Sequence, residues 1–269
     1  MTTGLTYDSL NQLDVWHKMP SITLDEMRSV RLMNRIDTKY VLSEDEVLRL
    51  LHKAKEAGYS VQIIDGVRAC RYLTLYYDTP EREMFIVHHN RKLTRQKLRT
   101  RTYLESGTTF FEIKNKSNRG RTKKRRTEIK AEELMCFAQN AEARELLANN
   151  SRYTTAELQP ALITSFSRIT LVNPTLTERS TIDLGLEYED ARTGNKASIE
   201  RMAIVEIKQD GNTASQLKLM LRDMHIAPLK VSKYCLGTTL TVEGIKYNRF
   251  KAKIQQISKR LNILSYDRI

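Results

Sequence analysis

The sequence predicts an α+β protein in which one β-sheet closes into a barrel around a charged interior, with helices packed outside it. Charged residues recur at every second position of several strand-like segments, apolar residues fill the alternate positions, and helical patterns lie at both ends of the chain. Because successive side chains of a strand point to opposite faces, each such strand has one charged and one apolar face. A barrel brings the charged faces together inside and leaves the apolar faces to pack under helices.

The first half of the chain alternates helical and strand patterns. An amphipathic helical pattern runs over about residues 1–33, and a strand pattern follows over 35–42. Ser43 and Glu46 form a capping box, which predicts a helix from there to about residue 58. Six further strands are predicted over 61–64, 68–77, 83–88, 92–104, 108–116 and 121–129.

The second half contains fewer strands and closes with helices. A helix is predicted over about 131–149, strands over 161–172, 180–188 and 198–208, and helices over 213–224, 233–240 and 247–264. The chain shows no low-complexity linker, repeat or break in composition. Residues 1–269 are therefore expected to form a single domain, with an N-terminal helical segment over about 1–33 and C-terminal helices over about 213–265.

Almost all of the net charge of +13 lies between residues 91 and 130. That window holds fifteen Lys and Arg against Glu105, Glu112 and Glu128, so 15 − 3 gives +12. Four of its basic residues occupy one strand face, namely Arg95, Lys97, Arg99 and Arg101. Since unpaired buried charge is costly, an interior lined by Lys and Arg requires an anionic occupant. The pattern predicts a tunnel for an extended phosphate chain.

The bulk composition narrows the class of protein. A hydrophobic fraction of 40% and a charged fraction of 29% are typical of a soluble globular protein. No apolar run approaches the roughly 18 residues of a membrane span, and no signal-peptide pattern is visible. Cys70, Cys136 and Cys235 are odd in number and lack metal-ligand spacing. Reduced thiols and a cytoplasmic location are therefore expected.

A basic protein also suggests nucleic acid as a partner, and the run over 119–126 has the density of a nucleic-acid patch. A single-strand binder interleaves exposed aromatic rings with its basic residues. Here Phe111 shares its strand face with Ile113 and is expected in the core. Nucleic acid is the less favoured partner.

An ordered series of motifs resembles the VTC domain (vacuolar transporter chaperone catalytic domain), a branch of the triphosphate tunnel metalloenzymes related to the CYTH proteins. The series reads Arg35-Ile-Asp-Thr-Lys39-Tyr40, Tyr77-Asp78-Thr79-Pro80, Lys97-Leu-Arg99-Thr-Arg101-Thr-Tyr103, Phe111-Glu112-Ile-Lys114-Asn-Lys116, Lys124-Arg-Arg126, Arg168, Arg179 to Asp183, Val205-Glu206-Ile207-Lys208 and Lys230-Val-Ser232-Lys233-Tyr234. It covers about residues 35–237.

The resemblance implies an eight-stranded antiparallel tunnel, a divalent metal (Mn or Mg), and ATP with inorganic polyphosphate or triphosphate as substrates. Members of this branch transfer the γ-phosphate of ATP onto a growing polyphosphate chain, so a polyphosphate polymerase is the first expectation. An inorganic triphosphatase or polyphosphatase, and a non-catalytic polyphosphate-binding module, stay open as alternatives. The sequence determines neither the oligomeric state nor whether a membrane protein is a partner.

The resemblance also assigns roles to individual residues. Catalytic roles fall on Lys39, Arg99, Arg101, Lys114, Lys124, Arg168, Arg179 and Lys233; substrate-binding roles on Arg35, Lys97, Lys116, Arg126, Lys208, Lys230 and Ser232; and metal-binding roles on Glu206, Glu112 and Asp183. The residue types suit phosphoryl transfer, because Arg offers a planar fork to phosphate oxygens and Lys a point charge. Carboxylates among basic side chains suit a hard cation.

Two features qualify these assignments. The Glu-x-Glu-x-Lys signature of the CYTH proteins reads Arg35-Ile-Asp37-Thr-Lys39 here, and the loss of the first carboxylate argues against a two-metal triphosphatase. Glu112 and Glu206 have a second interpretation, as ion-pair partners of interior cations. His88 and His89 are expected on opposite faces of a strand, in structural roles.

Overall fold

The computed structural model describes residues 4–30, 35–119, 121–211 and 213–263. The strands are β1 (Ser21–Ile22), β2 (Arg35–Ser43), β3 (Ser60–Gln62), β4 (Ala69–Asp78), β5 (Arg95–Tyr103), β6 (Thr108–Lys116), β7 (Thr122–Ile129), β8 (Gln159–Val172), β9 (Glu178–Asp190), β10 (Lys196–Ser198) and β11 (Met202–Asp210). The α-helices are α1 (Tyr7–Asn11), α2 (Glu44–Glu56), α3 (Glu83–His89), α4 (Ala141–Asn150), α5 (Gln216–Asp223), α6 (Lys233–Thr241) and α7 (Asn248–Leu261).

Eight strands form one antiparallel sheet in the order β2-β11-β9-β8-β4-β5-β6-β7, and the short strands β1, β3 and β10 attach to it. The sheet curls into a half-barrel, so the predicted closure into a complete barrel is not confirmed. Within the described residues, the two outer strands of this order, β2 and β7, do not pair with each other. Both edges carry cations, and like charges facing each other across a seam oppose its closure.

The curl of the sheet follows from three contacts made by consecutive residues. Val231, Ser232 and Lys233 contact side chains of β2, β5 and β9 respectively. In a flat sheet β2 and β5 would lie five strand spacings apart, about 24 Å. Three residues span about 10 Å at most. The sheet therefore wraps around this segment, and the face that these contacts reach is the concave one.

The convex face carries two apolar cores. Over β2, β9 and β11 it packs against α2 and α5 through residues such as Leu50 and Leu217. Over β5 and β6 it packs against α4, where Phe111 and Leu147 are buried. Phe111 also stacks on Phe137, with ring centroids 4.1 Å apart, as expected of a core residue. Apolar burial thus fixes which face of each strand points outward.

A third core covers one end of the concave face. There Val41 and Ile204 meet α6 and α7, including Tyr234 and Ile254. This end of the half-barrel is filled by helices, and the charged remainder of the face stays accessible. Among the described helices, none is long and apolar enough to span a membrane.

The elements differ from the sequence prediction in three places. Residues 83–89 form helix α3 and not a strand, so His88 and His89 do not lie on opposite faces of a strand. The N-terminal segment contains α1, two short 3-10 helices and β1 in place of long helices. The helix predicted over 131–149 is split into two 3-10 helices and α4.

Helix α3 forms because a side chain that precedes residues 83–89 caps its N-terminus. The Asp78 carboxylate accepts hydrogen bonds from the backbone N–H groups of Met84 and Phe85, at 2.9 and 3.0 Å. These are N–H groups of the first turn, which have no partner inside the helix. A buried carboxylate there favours a helix over the strand that the apolar run 84–87 suggests.

Candidate functional site

Strand register places a large set of basic residues on the concave face. Paired residues of neighbouring strands point to the same face, so the register of the whole sheet can be followed from β2 to β7. The basic residues on this face are Arg35, Lys39, Arg95, Lys97, Arg99, Arg101, Lys114, Lys116, Lys124, Arg126, Arg168, Arg179 and Lys208. The carboxylates on it are Asp37, Glu112, Glu128, Asp183, Glu206 and Asp210, and also Asp78 and Asp190 at the end that α3 and α6 cover, where they bond Tyr234 and Arg82. Away from that covered end, thirteen cations against six carboxylates leave an excess of seven positive charges, and we call this set, with Lys233 of α6, the concave site.

Glu112 forms the first ion-pair centre of the concave site. Its Oε2 accepts from Nε of Arg99 at 2.7 Å and lies 2.6 Å from Nη2 of the same side chain, while Oε1 pairs with Lys124. Glu112 is only 1% exposed. Burial raises the pKa of this carboxyl group, but Arg99, Arg101 and Lys124 together hold it well below its ordinary value. The carboxylate is ionised and fixes Arg99 in place.

Asp183 forms the second centre. Nε and Nη2 of Arg168 donate to its two oxygens at 2.5 and 2.8 Å, and Lys233 also pairs with it. Asp183 is 1% exposed, and the two cations hold its pKa far below the ordinary value against the effect of burial. A bidentate Arg–carboxylate pair of this kind orients the guanidinium rigidly.

Two stacked rings lie beneath the cations between these centres. Tyr72 and Phe166 are nearly parallel, with centroids 5.3 Å apart. The guanidinium carbon of Arg168 lies 4.8 Å from the Tyr72 centroid, and that of Arg101 lies 5.5 Å from it. Lys233 Nζ lies 4.5 Å from the Phe166 centroid. Such contacts stabilise cations that have lost part of their hydration.

The sequence analysis did not assign these rings a role. Tyr72 and Tyr76 fall on one face of β4, and the i, i+4 spacing of two tyrosines on a strand was the available signal. Arg99 Nη1 lies 3.4 Å from the Tyr76 hydroxyl. Burial alone would raise the pKa of Tyr76, but Arg99 and Arg101 lower it to about 8.

Helix α6 enters the concave site with its N-terminus. Ser232 is its N-cap and accepts from Cys235 N–H at 3.3 Å and from Lys97 Nζ at 2.7 Å. Lys39 Nζ donates to the carbonyl oxygen of Val231 at 3.3 Å. Lys233, the first helical residue, then reaches Asp183. The motif 230–234 therefore ties three distant strands to one helix end.

A buried hydrogen bond fixes the position of α6. The Tyr234 hydroxyl donates to Oδ2 of Asp78 at 2.5 Å, and Asp78 is fully buried. Because Asp78 also caps α3, one carboxylate links β4, α3 and α6. Nearby, Arg82 makes a buried bidentate pair with Asp190, with both contacts at 2.8 Å. The Tyr-Asp-Thr motif at 77–79 thus supports the site from behind.

Burial lowers the pKa of six lysines of the concave site. The pKa falls to about 8 for Lys97, Lys124 and Lys233 and to about 7 for Lys208, and it is also lowered for Lys114 and Lys116. A bound anion reverses this effect, since opposite charge favours the protonated amine. The geometry is therefore suited to an anion that brings several negative charges at once.

The carboxylates differ in their ability to bind a metal. Both oxygens of Glu112 and of Asp183 are already engaged by cations. Glu206 has a looser partner, with its Oε2 3.8 Å from Lys39 Nζ. Lys208 and Lys39 hold the pKa of Glu206 well below its ordinary value although burial raises it, so the group is an anion. The described residues contain no group of three or more His, Cys, Asp or Glu that could hold a metal.

This donor set fits one kind of metal site. Mg²⁺ and similar ions are often held by one or two carboxylates together with phosphate oxygens of the substrate. Glu206 fits that role, and Glu112 and Asp183 fit better as ion-pair partners in the state described. A metal at Glu206 would therefore depend on the phosphate for most of its ligands.

The other predicted residues lie at the borders of the site. Arg35 is exposed, and its Nε lies 2.6 Å from Oδ1 of Asp37. The guanidinium carbon of Arg126 lies 4.2 Å from the centroid of the Phe110 ring. Lys114 and Lys230 are exposed, and Lys116 is half-buried. Arg179 is half-buried, and its Nε has no hydrogen-bond partner within the described residues.

The histidines and cysteines lie outside the ion-pair centres. His88 Nδ1 lies 2.9 Å from Cys235 Sγ, and His89 Nε2 accepts from the backbone N–H of Arg249 at 3.3 Å. All three cysteines are free; Cys70 and Cys235 are buried and Cys136 is exposed.

Comparison with known proteins identifies the family. Among solved structures, the chain is similar to a candidate adenylate cyclase from Vibrio parahaemolyticus, with 15% identity and a TM-score of 0.45 over 77% of this chain and 99% of that one. A candidate adenylate cyclase from Bacillus halodurans has 14% identity and a TM-score of 0.48, over 74% of this chain and 94% of that one. A candidate adenylyl cyclase from Hippeastrum is described as having a dominant triphosphatase activity. It has 13% identity and a TM-score of 0.47, over 81% of this chain and 96% of that one. No curated protein matches the sequence. The family model of the VTC domain matches residues 34–242, more than three quarters of the chain, and the protein therefore belongs to the VTC domain family.

Proposed function

We propose that this protein is a metal-dependent polyphosphate polymerase that transfers the γ-phosphate of ATP onto an inorganic polyphosphate chain held against the concave face. One observation carries the proposal: away from the helix-covered end, thirteen strand-borne cations line a single curved face against six carboxylates. An extended polyanion neutralises charge spread in this way, whereas a compact anion reaches only part of it. Membership of the VTC domain family supports the same activity.

The side chains have roles that suit phosphoryl transfer, in which positioning and charge neutralisation supply most of the catalysis. Arg99 and Arg168 are held by carboxylates and present their remaining N–H donors in fixed directions. Arg101 is 5% exposed and donates to Thr74 Oγ1 at 3.0 Å, which aligns it beside them. We assign these three the binding of the transferred phosphoryl group.

The lysines and the N-terminus of α6 bind the rest of the chain. Lys39 and Lys97 approach from opposite walls and meet the segment before α6. Ser232 is placed to donate its hydroxyl proton to a phosphate oxygen. A Mn or Mg ion held by Glu206 and by phosphate oxygens would supply further neutralisation of the leaving group.

A triphosphatase is the second candidate, and the open seam between β2 and β7 favours it. A half-open site admits water, which would act as the acceptor in place of a phosphate chain. We also propose that residues 1–269 act as one domain and that a bound polyanion draws β2 and β7 together into a tunnel, because it removes the repulsion between their cations.

The decisive experiment supplies ATP with Mn or Mg, and tripolyphosphate in parallel, and resolves the products by phosphorus NMR. Growth of the internal-phosphate signal is expected of a polymerase. Orthophosphate release without chain growth would overturn the polymerase in favour of the triphosphatase, and no turnover would leave a binding module.

Arg101→Ala provides the matching variant. It is expected to abolish chain growth while the protein stays folded, as measured by circular dichroism. Arg144→Ala on the convex side is the control, because Arg144 is exposed and bonds only to backbone carbonyl groups of residues 138 and 139. Wild-type rates in Arg101→Ala would refute the assignment.

A further inference from the structure

A second cluster of basic side chains lies beside the ion-pair centres, at the end where α3 and α7 cover the sheet. We call it the antechamber; it consists of Arg91, Arg95, Lys116, Lys230 and Lys253. These residues come from the loop after α3, from β5 and β6, from the segment before α6, and from α7. Elements far apart in sequence thus bring five positive charges to this place.

Register and mutual electrostatic effects show that the five residues are neighbours. Arg95 and Lys116 lie directly opposite each other on β5 and β6. Burial and the charges of Arg95 and Lys230 lower the pKa of Lys116. Burial and the charges of Arg91, Lys230 and Arg95 likewise lower that of Lys253. Two contacts agree with this placement: Lys97 Nζ bonds Ser232, two residues after Lys230, and the ring of Phe250, one turn before Lys253, lies against that of His88 in α3.

The antechamber differs from the ion-pair centres in its charge balance. Within the described parts of the chain, none of its five residues forms an ion pair, and Arg95 donates only to the carbonyl oxygen of Lys92, at 3.2 Å. Arg99, Lys124, Arg168 and Lys233, by contrast, each pair with a buried carboxylate. The antechamber thus contains five cations that have no carboxylate partner among the described residues.

The antechamber is continuous with the ion-pair centres through Lys97. Lys97 follows Arg95 on the same face of β5, and its Nζ contacts Ser232, two residues after Lys230. His88 lies between the two regions and contacts Cys235. Burial and four surrounding cations hold the pKa of His88 far below its ordinary value, so the imidazole is neutral and adds no charge of its own.

We propose that the antechamber binds the part of an inorganic polyphosphate chain that extends beyond the ion-pair centres, so that long chains gain affinity over tripolyphosphate there. This inference rests on the proposed function, since a phosphate chain must first occupy the concave site. A polyphosphate fits better than RNA, because RNA binders offer free aromatic rings for stacking. Here Phe250 packs edge-on against Phe85 and His89.

The test compares two variants of equal charge by calorimetric titration with tripolyphosphate and with long-chain polyphosphate. Arg91→Gln/Lys253→Gln alters the antechamber, and Lys251→Gln/Lys259→Gln removes the same charge from exposed positions of α7. At roughly 0.5–1 kcal/mol for each lost charge contact, the antechamber variant is expected to lose about 5- to 30-fold in long-chain affinity. Its affinity for tripolyphosphate and the long-chain affinity of the control variant are expected to stay at the wild-type values.

Other outcomes separate the two proposals. If the wild-type protein does not bind tripolyphosphate, the proposed function and the inference both fall. If it does, but the antechamber variant keeps its long-chain affinity or the control variant loses as much, the inference alone falls. Binding of an RNA oligonucleotide with the same dependence on Arg91 and Lys253 would also overturn it, in favour of a nucleic-acid surface.

Discussion

Replacing Asp183 by Asn is expected to destabilise the protein strongly in the absence of polyanions. Asp183 is almost fully buried and neutralises both Arg168 and Lys233. Removing one partner of a buried ion pair costs about 3–5 kcal/mol, because the remaining charge is left uncompensated. Asn keeps one carbonyl acceptor, which favours the lower end, about 3 kcal/mol. For a chain of this size each kcal/mol lowers Tm by about 2–4 °C, so a fall of about 6–12 °C is expected.

Thermal unfolding followed by circular dichroism, with and without tripolyphosphate, measures this effect. A ligand at one hundred times its Kd stabilises the folded state by about 2.7 kcal/mol. Because the anion also replaces the missing negative charge beside Arg168, the rise in Tm on adding tripolyphosphate should be larger in Asp183→Asn than in the wild type. Glu187→Gln is the matched control, since Glu187 lies on the same strand but is exposed and bonds to Ser165 at 3.0 Å.

Two results would refute this reasoning. A Tm of Asp183→Asn equal to that of the wild type without anion would mean that Arg168 and Lys233 do not depend on this carboxylate. An anion-induced rise in Tm no larger than that of the wild type would mean that the anion does not bind beside it.

Three further predictions concern the concave site and its support. Affinity for tripolyphosphate should fall between pH 6 and 9, since burial lowers the pKa of Lys208 to about 7 and the amine loses its charge above that pH. Calorimetric titration at constant salt measures this affinity. An affinity that does not change with pH would contradict the prediction. Gly237→Ala should destabilise the protein by about 1–3 kcal/mol in urea unfolding, because the added Cβ would lie 2.4 Å from a ring carbon of Tyr188; an unchanged midpoint would disprove the close packing. Tyr234→Phe should lower stability by about 1.5–3 kcal/mol by removing the hydrogen bond to Asp78, and undiminished stability would show that this bond does not hold α6.

Charge periodicity predicted the concave face because it depends only on the alternation of side chains along a strand. Residues such as Lys39, Glu112 and Lys208 were assigned to one face from spacing alone, and the register of β2, β6 and β11 places them there. The resemblance to the VTC domain implied the number of strands, eight, but not their order in the sheet. Closure of the barrel could not be predicted from the sequence, because it depends on whether two distant edges meet. No local pattern reports that distance.

Two other features lay outside the reach of sequence patterns. Helix α3 depends on Asp78, which precedes it by five residues and acts through side-chain hydrogen bonds to Met84 and Phe85. The apolar residues of 84–87 alone resemble a strand. The antechamber brings Lys253 to β5 and β6 through the packing of α7 on α3, a tertiary contact that no sequence pattern reports.

The open seam between β2 and β7 affects which polymers can reach the concave face. A closed tunnel must be threaded from a free terminus, so it rejects a ring and a chain with bulky groups at both ends. A groove that is open along its side admits such molecules through their middle. Cyclic phosphates and end-capped polyphosphates would therefore compete with linear chains for this face, and their competition would weaken once the two edges came together.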